Sequence, residues 1–283
     1  MRREVEIVSD AVEGVKLELL AEAYCVLKSA IRISHDEMRT VFSDWNRGEL
    51  ADPLVAAAAD ALGLRDEDGD PLLEKVLDIP RGSALCAPAA ALALKLGVPA
   101  PLASQSASSS FMASMKDERV DASAILAGPK AALSGDRHAM IEELRKALHA
   151  AFLLAYAEAY SLCAASGAAE PESLSGLSGG GSPVAAAAAA ARGRNGPKET
   201  ILLDASVKSQ MDSALPSLRR VCSRAFEGGL YLPCLSAALS YYDGIRSTWM
   251  PSNLIVAIRD SRERTLYERI DRPRGEEFHS EWK

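Results

Sequence analysis

From Glu13 to Leu27 the apolar residues Leu17, Leu20, Ala21, Tyr24 and Leu27 recur at three- and four-residue spacing, which predicts an amphipathic helix. Ser34 followed three residues later by Glu37 is a capping box that opens a second helix through Val41 and Trp45. A loop is expected at Arg47 to Glu49, then an Ala/Leu helix over 51–63, closed by the turn-rich RDEDGDP. A short helical piece follows from Leu72 to Leu77. The two prolines of GVPAPL (97–102) break any helix, and SSFMASMKDERVDASAIL resumes helical spacing. Asp136 to Cys163 is the longest periodic run, with Ile141, Leu144, Leu148, Phe152, Ala155 and Tyr156 on one stripe, so it is placed in the core.

The pattern then lapses. EPESLSGLSGGGSPV is of flexible-linker type, and alanines at every position from 185 to 191 can form a helix but bring little apolar area to bury. Periodicity returns at Ile201 and predicts three helices: ASVKSQMDSALPSLRRVCSRAF, CLSAALSYYDGIRS and NLIVAIRDSRERTLYERID. No stretch alternates as a strand, and no repeat of fixed period occurs. The expected organisation is a helical part over 1–165, a linker or degenerate helix over 166–200, and the rest of the same domain over 201–283.

Composition supports this reading. Apolar residues make up 48% of the 283, with aromatics only 5%. The apolar share is carried by Ala and Leu, which favours close-packed helices and an all-α fold. Lys and Arg total 32 against 39 acids, a net charge of −7 without the basic footprint that nucleic acid requires. Arg259, Arg262, Arg264, Arg269, Arg272 and Arg274 crowd the C-terminal region, but Asp260, Glu263, Glu268 and Asp271 are interleaved with them as in a solvated mixed-charge face. The five cysteines are scattered and form no C-x-x-C pair, which speaks against a disulfide frame or a zinc site and for a reduced compartment. The N-terminus lacks the apolar core of a signal peptide, and no window reads as a bilayer span, so a cytoplasmic protein without membrane contact is expected.

Three motif matches fail on their context. Asp66, Asp68 and Asp70 fall at calcium-loop positions 1, 3 and 5, but Pro71 stands where glycine is needed and Leu77 where the bidentate carboxylate belongs. Gly176, Ser178 and Gly180 spell G-x-S-x-G without the flanking strand and helix of a nucleophile elbow. His35, His138, His149 and His279 lack ligand-spaced partners. No G-x-G-x-x-G follows a strand, so no dinucleotide-binding unit of the chain's own is expected.

Several strings carry more information: LLAEAYCVLK (19–28), VFSDWNRGEL (41–50), RDEDGDPLLEKVLD (65–78), LGVPAPL (96–102), SMKDERVDAS (114–123), LPCLSAALSYYDGIRS, PSNLIVAIRD and TLYERIDRPRGEEFHSEW. Together they resemble the C-terminal helical domain of the decarboxylating 6-phosphogluconate dehydrogenases, over most of 1–160 and 200–283. The resemblance implies that domain's all-α fold, a homodimer or a heterodimer with an intact family member, and the NADP-dependent oxidative decarboxylation of 6-phosphogluconate. NADP is implied by the resemblance only. In the family a lysine takes the proton of the sugar hydroxyl and a glutamate seven residues on protonates the enediol; two helical turns bring both to one cleft.

Carried onto this chain, the glutamate is kept at Glu13 but the lysine position is Glu6. The neighbouring histidine and asparagine become Ser9 and Asp10, and the phosphate-binding tyrosine becomes Gly14. Glu6 near Glu13 repels an anionic sugar acid, and loss of a general base typically costs about 10²- to 10⁴-fold. Lys16, three residues from Glu13, is the substitute base to consider. Of the family's phosphate clamp, one lysine aligns with Ala87, an arginine-bearing segment with the tract around Gly176 to Ser182, and the partner's histidine with Thr265. Arg259 remains as the substrate-binding candidate. Three lost charge-assisted contacts remove roughly 5 to 9 kcal/mol, against about 8 kcal/mol for micromolar binding.

Glu13 also fits a helix-surface carboxylate, and Arg259 a partner of Asp260 or Glu263 in a surface network. Tyr242, Asp243 and Gly244 are read as helix packing and termination, and the tail from His279 to Trp282 is expected to pass into a partner subunit. Two functional expectations follow. The first is a non-catalytic family member acting as scaffold or partner subunit. The second is the active subunit of a split enzyme, with its cofactor domain on another chain and Lys16 or Glu6 as base.

Overall fold

The computed structural model describes residues 2–80, 84–129, 135–167, 181–196 and 200–282. The chain divides into two compact units, Met1–Tyr241 and Tyr242–Lys283. The architecture is all-α, as the Ala/Leu composition predicts. In the first unit α1 (Arg2–Cys25) runs on into a π-helical turn, Val26–Ile31, which Arg32 ends in the left-handed region at φ 60°. There follow α2 (His35–Trp45), α3 (Pro53–Gly63), a 3-10 turn at Leu72–Lys75, α4 (Ala87–Leu96), α5 (Pro101–Ser114) and α6 (Lys116–Ile125). Then come α7 (Arg137–Ser166), α8 (Pro183–Asn195), a short turn at Ile201–Leu203 and α9 (Ala205–Glu227), and α10 (Pro233–Ile245) crosses from Tyr241 of the first unit to Tyr242 of the second.

Helix starts follow local chemistry. The Ser34 hydroxyl accepts from Glu37 N at 3.3 Å, and the Glu37 carboxylate accepts from Ser34 N at 2.7 Å, completing the predicted box. Asp52, Asp136, Ser182 and Asp204 cap α3, α7, α8 and α9 with side-chain oxygens. The 97–125 segment breaks once more than its periodicity suggests: Met115 leaves the helical region, and α5 and α6 are separate helices.

The core is organised on α7, which packs against α1, α8 and α9. Leu144, Leu148, Phe152, Leu153, Leu154 and Tyr156 are almost fully buried. Contrary to the expectation of no bilayer-length segment, α7 is long and apolar enough to cross a membrane; 89% of its apolar window is buried within the protein. A helix surrounded by neighbours is apolar on all sides for the same reason a membrane helix is. The polyalanine run forms α8, and Ala185, Ala188 and Ala191 are buried where it meets α7. Small side chains there allow close approach of two helices. Residues 168–180 and 197–199 of the expected 166–200 linker, including the G-x-S-x-G string, lie outside those described.

In the second unit α11 (Ser252–Glu263) ends at Arg264, φ 53°. The sequence predicted helix to Asp271; instead Tyr267–Glu268 (β1) pairs antiparallel with Glu277–Phe278 (β2). Asp260 is the one fully buried residue among those described here, and its carboxylate accepts from Leu266 N, His279 Nδ1, Ser280 N and Trp282 Nε1 at 2.7–3.2 Å. Within this unit the tail from His279 to Trp282 is tied to α11 by these bonds.

Candidate functional site

The buried face of α1 carries Val8, Val12, Val15, Leu19 and Ala23, continued by Leu27 in the π-helical turn. This differs from the predicted stripe, because Leu17 and Ala21 are exposed. Together with Gly14 and Glu18 they line a groove of about 760 Å³, closed on its other sides by Val76–Pro80, Ala84–Ala87 and α5 from Ser106 to Ser114. Periodicity counted Leu17 and Ala21 as core; tertiary packing gives them to a cleft.

Gly14 makes the floor. A Cβ added to it would lie 2.6 Å from Cys86 Sγ and 3.1 Å from Leu85 Cβ, so absence of a side chain lets the Leu85–Cys86 turn close on α1. Polar bonds hold this approach: Cys86 Sγ donates to Ala11 O at 3.4 Å or Ser106 Oγ at 3.2 Å, and Ser106 Oγ donates to Gly14 O at 3.2 Å. Burial pushes the Cys86 thiol up to about 11, so it is a packing group and not a nucleophile.

Two carboxylates face the groove. Asp78 is closed by Lys116 Nζ at 2.6 Å and Arg119 at 2.9 Å, which hold it at about 2. Glu18 is half-buried, accepts the Ser109 hydroxyl at 2.5 Å, and has its pKa raised by desolvation. Ala87, the first residue of α4, stands in the wall at the position matched to the clamp lysine. No basic side chain occurs among the described residues that line the groove.

Glu13 is exposed on α1, outside the groove lining, and Glu6 is exposed two turns earlier. Lys16 is not in the cleft. It lies in the core, 3% exposed, donating to Asp52 Oδ2 at 2.5 Å with its ammonium 5.9 Å from the Phe152 ring centroid. The substitute-base reading of Lys16 is therefore corrected: spacing along a helix places it near Glu13, but its side chain runs into the core toward Asp52 and Phe152. Arg259 belongs to the other unit, exposed on α11 and paired with Glu263 at 3.3 Å, so Glu13 and Arg259 are not in one unit. Thr265 follows the end of α11.

The remaining motif residues take structural roles. Asp66 folds the acidic turn by accepting from Asp68 N and Asp70 N, and Lys75 bridges Asp66, Asp68 and Asp70. No group of three metal-ligating side chains occurs among the described residues. All five cysteines are free thiols. Two buried glutamates escaped the sequence reading. Glu22 of α1 accepts from Cys234 N and Leu235 N at the start of α10, and Glu158 of α7 accepts from Leu102 N and Ala103 N at the start of α5. Desolvation raises Glu22 to about 8 and Glu158 to about 7, against the lowering effect of those amides. Pro at the head of both capped helices, Pro101 and Pro233, was the available signal, since it marks a first turn that needs an anchor.

Comparison with known proteins places this architecture. A family-level match to "6-phosphogluconate dehydrogenase, C-terminal domain" spans residues 4–172 and 184–282. The decarboxylating 6-phosphogluconate dehydrogenase of Rattus norvegicus is 34% identical over 288 residues, covering 98% of this chain and 59% of that protein. The NADP(+)-dependent, decarboxylating enzyme of Bacillus subtilis is 34% identical over 291 residues, covering 98% and 61%. The chain thus spans about three fifths of the curated relatives it matches. Plasmodium falciparum 6-phosphogluconate dehydrogenase, solved apo, with its cofactor NADP+ and with its substrate 6-phosphogluconate, superposes with a TM-score of 0.92 at 23% identity, over 98% of this chain and 62% of that one. The fold is shared. With the family matched along nearly its whole length, the chain belongs to the 6-phosphogluconate dehydrogenase family, as a relative of its C-terminal helical domain.

Proposed function

We propose that this chain is a non-catalytic member of the family, serving as a scaffold or partner subunit in place of turning over 6-phosphogluconate. The observation that carries this reading is the groove beside Gly14 and Ala87: its described lining holds no cation to meet a phosphate or to act as a base. Lys16, the nearest lysine in sequence to Glu13, is sealed against Asp52. NADP is the cofactor of the relatives' reaction.

Partnering is supported by α11, whose Leu254, Ile255, Val256 and Ile258 are 40–64% exposed within the single chain. A helix with uncovered apolar residues on this scale gains by burying them in a homodimer, or in a heterodimer with an intact family member. The free thiols agree with a reduced, cytoplasmic setting.

Calorimetric titration of the purified protein with 6-phosphogluconate at low ionic strength tests the reading. The expected result is a flat titration of folded protein. Saturable binding that disappears in Arg259→Ala would overturn it in favour of the split-enzyme reading. That rival further requires NADPH formation with a cofactor-domain chain to collapse in Glu13→Gln; no dependence on Glu13 is expected here.

A further inference from the structure

The groove, whose described lining holds no basic side chain, has a floor of small side chains and walls of large apolar ones. Gly14, Ala21 and Ala87 leave the space, while Leu77 and Phe111 line it at 64% and 58% exposure. Such residues are seldom gathered on one concavity unless something covers them. The charge in the lining is also one-sided. Asp78 is neutralised by Lys116 and Arg119, leaving the Glu18 carboxylate, whose single hydrogen-bond partner among the described residues is the Ser109 hydroxyl. A carboxylate oxygen has room for further donors, and here they must come from the groove.

We infer that the groove binds a small organic cation with an apolar body, its ammonium donating to Glu18 and its hydrocarbon part lying between Leu17, Leu77 and Phe111. This rests on the reading that the groove is no longer a phosphosugar site, and it adds a ligand class of opposite charge. An ammonium completes the acceptor capacity of Glu18 and offsets the cost of its partial burial. An anion of equal size meets a carboxylate and, among the described lining residues, no basic side chain.

The test is a set of separate titrations of the ¹⁵N-labelled full chain with hexylamine, hexanoate and 6-phosphogluconate, followed by amide chemical shifts. Hexylamine is expected to move the amides of Leu17–Ala21 and Ser109–Ser114 saturably, and hexanoate to leave them in place. Glu18→Gln keeps the shape and should weaken the amine about tenfold or more. Ala87→Lys places a cation in the wall without touching Glu18, and should weaken the amine and admit hexanoate. Silence toward hexylamine, or equal response to amine and carboxylate, overturns the inference. Saturable 6-phosphogluconate binding overturns the functional reading instead; silence toward all three compounds leaves that reading standing and removes this one.

Discussion

Lys16 Nζ donates to Asp52 Oδ2 at 2.5 Å, with the two side chains only 4% and 1% exposed. Asp52 in turn caps α3 through Leu54 N at 3.0 Å and receives its own backbone support from Asn46 Oδ1, which accepts from Asp52 N at 2.8 Å. One ion pair thus fastens α1 to the start of α3, and the amine that could have replaced a missing base is structural.

Removing one side of that pair leaves a buried charge without its partner. Lys16→Met is expected to lower stability by about 3 to 5 kcal/mol, and the double variant Lys16→Met/Asp52→Asn by clearly less. Urea denaturation of the three proteins measures both. A loss under 1 kcal/mol in the single variant would show that Asp52 finds another donor.

Gly14→Ala is expected to destabilise, although alanine in mid-helix gains about 1 kcal/mol of propensity over glycine. The new Cβ meets Cys86 Sγ at 2.6 Å, and overpacking of this kind costs about 1 to 3 kcal/mol. Adding Cys86→Ala should recover part of the loss. Thermal melts that rise in Gly14→Ala would place the Leu85–Cys86 turn further from α1.

Glu22 and Glu158 make stability fall as pH rises through neutrality. Both have folded pKa values raised from the ordinary 4.5, to about 8 and about 7, by desolvation. Their contribution is complete below about pH 4.5, where both states hold these protons, and it is lost as pH rises through 7 and then 8, because over that range the folded chain keeps protons that the unfolded chain has released. Melting temperature should decline from pH 5 to 8, and Glu22→Gln should flatten the upper part of that decline. Asp78, held at about 2 by Lys116 and Arg119, acts in the opposite sense: its contribution is present above 3.8 and lost as pH falls through 2.

Asp260→Asn should release the tail. Burial pushes the Asp260 carboxyl upward, yet hydrogen bonds from Trp282, His279 and Ser280 hold it at about 2. An amide cannot accept from all of these donors with both of its heavy atoms. Amide hydrogen exchange over residues 277–281 should accelerate, and the Trp282 indole N–H resonance should shift toward its solvent-exposed position. Unchanged exchange would mean that the Tyr267–Trp282 and Tyr267–Phe278 ring contacts, at 6.1 and 6.4 Å, suffice to hold the tail.

The helical class, the capping box at Ser34 and Glu37, the core position of α7 and the family are all legible in the residue pattern. Each depends on local periodicity, on side-chain-to-backbone bonds three residues apart, or on strings long enough to match. Local pattern could not decide which side of α1 meets the core, because Leu17 and Val15 are equally apolar and lie two positions apart. Only the packing of α7 and α5 against that helix gave Leu17, Glu18 and Ala21 to a groove and Lys16 to Asp52, thirty-six residues away. The same holds for Glu22 and Glu158, acids on apolar helices whose partners are the first amides of helices 212 and 56 residues distant. Burial of a charged group is settled by what it finds at long range, and tertiary structure alone brings those donors within hydrogen-bond reach.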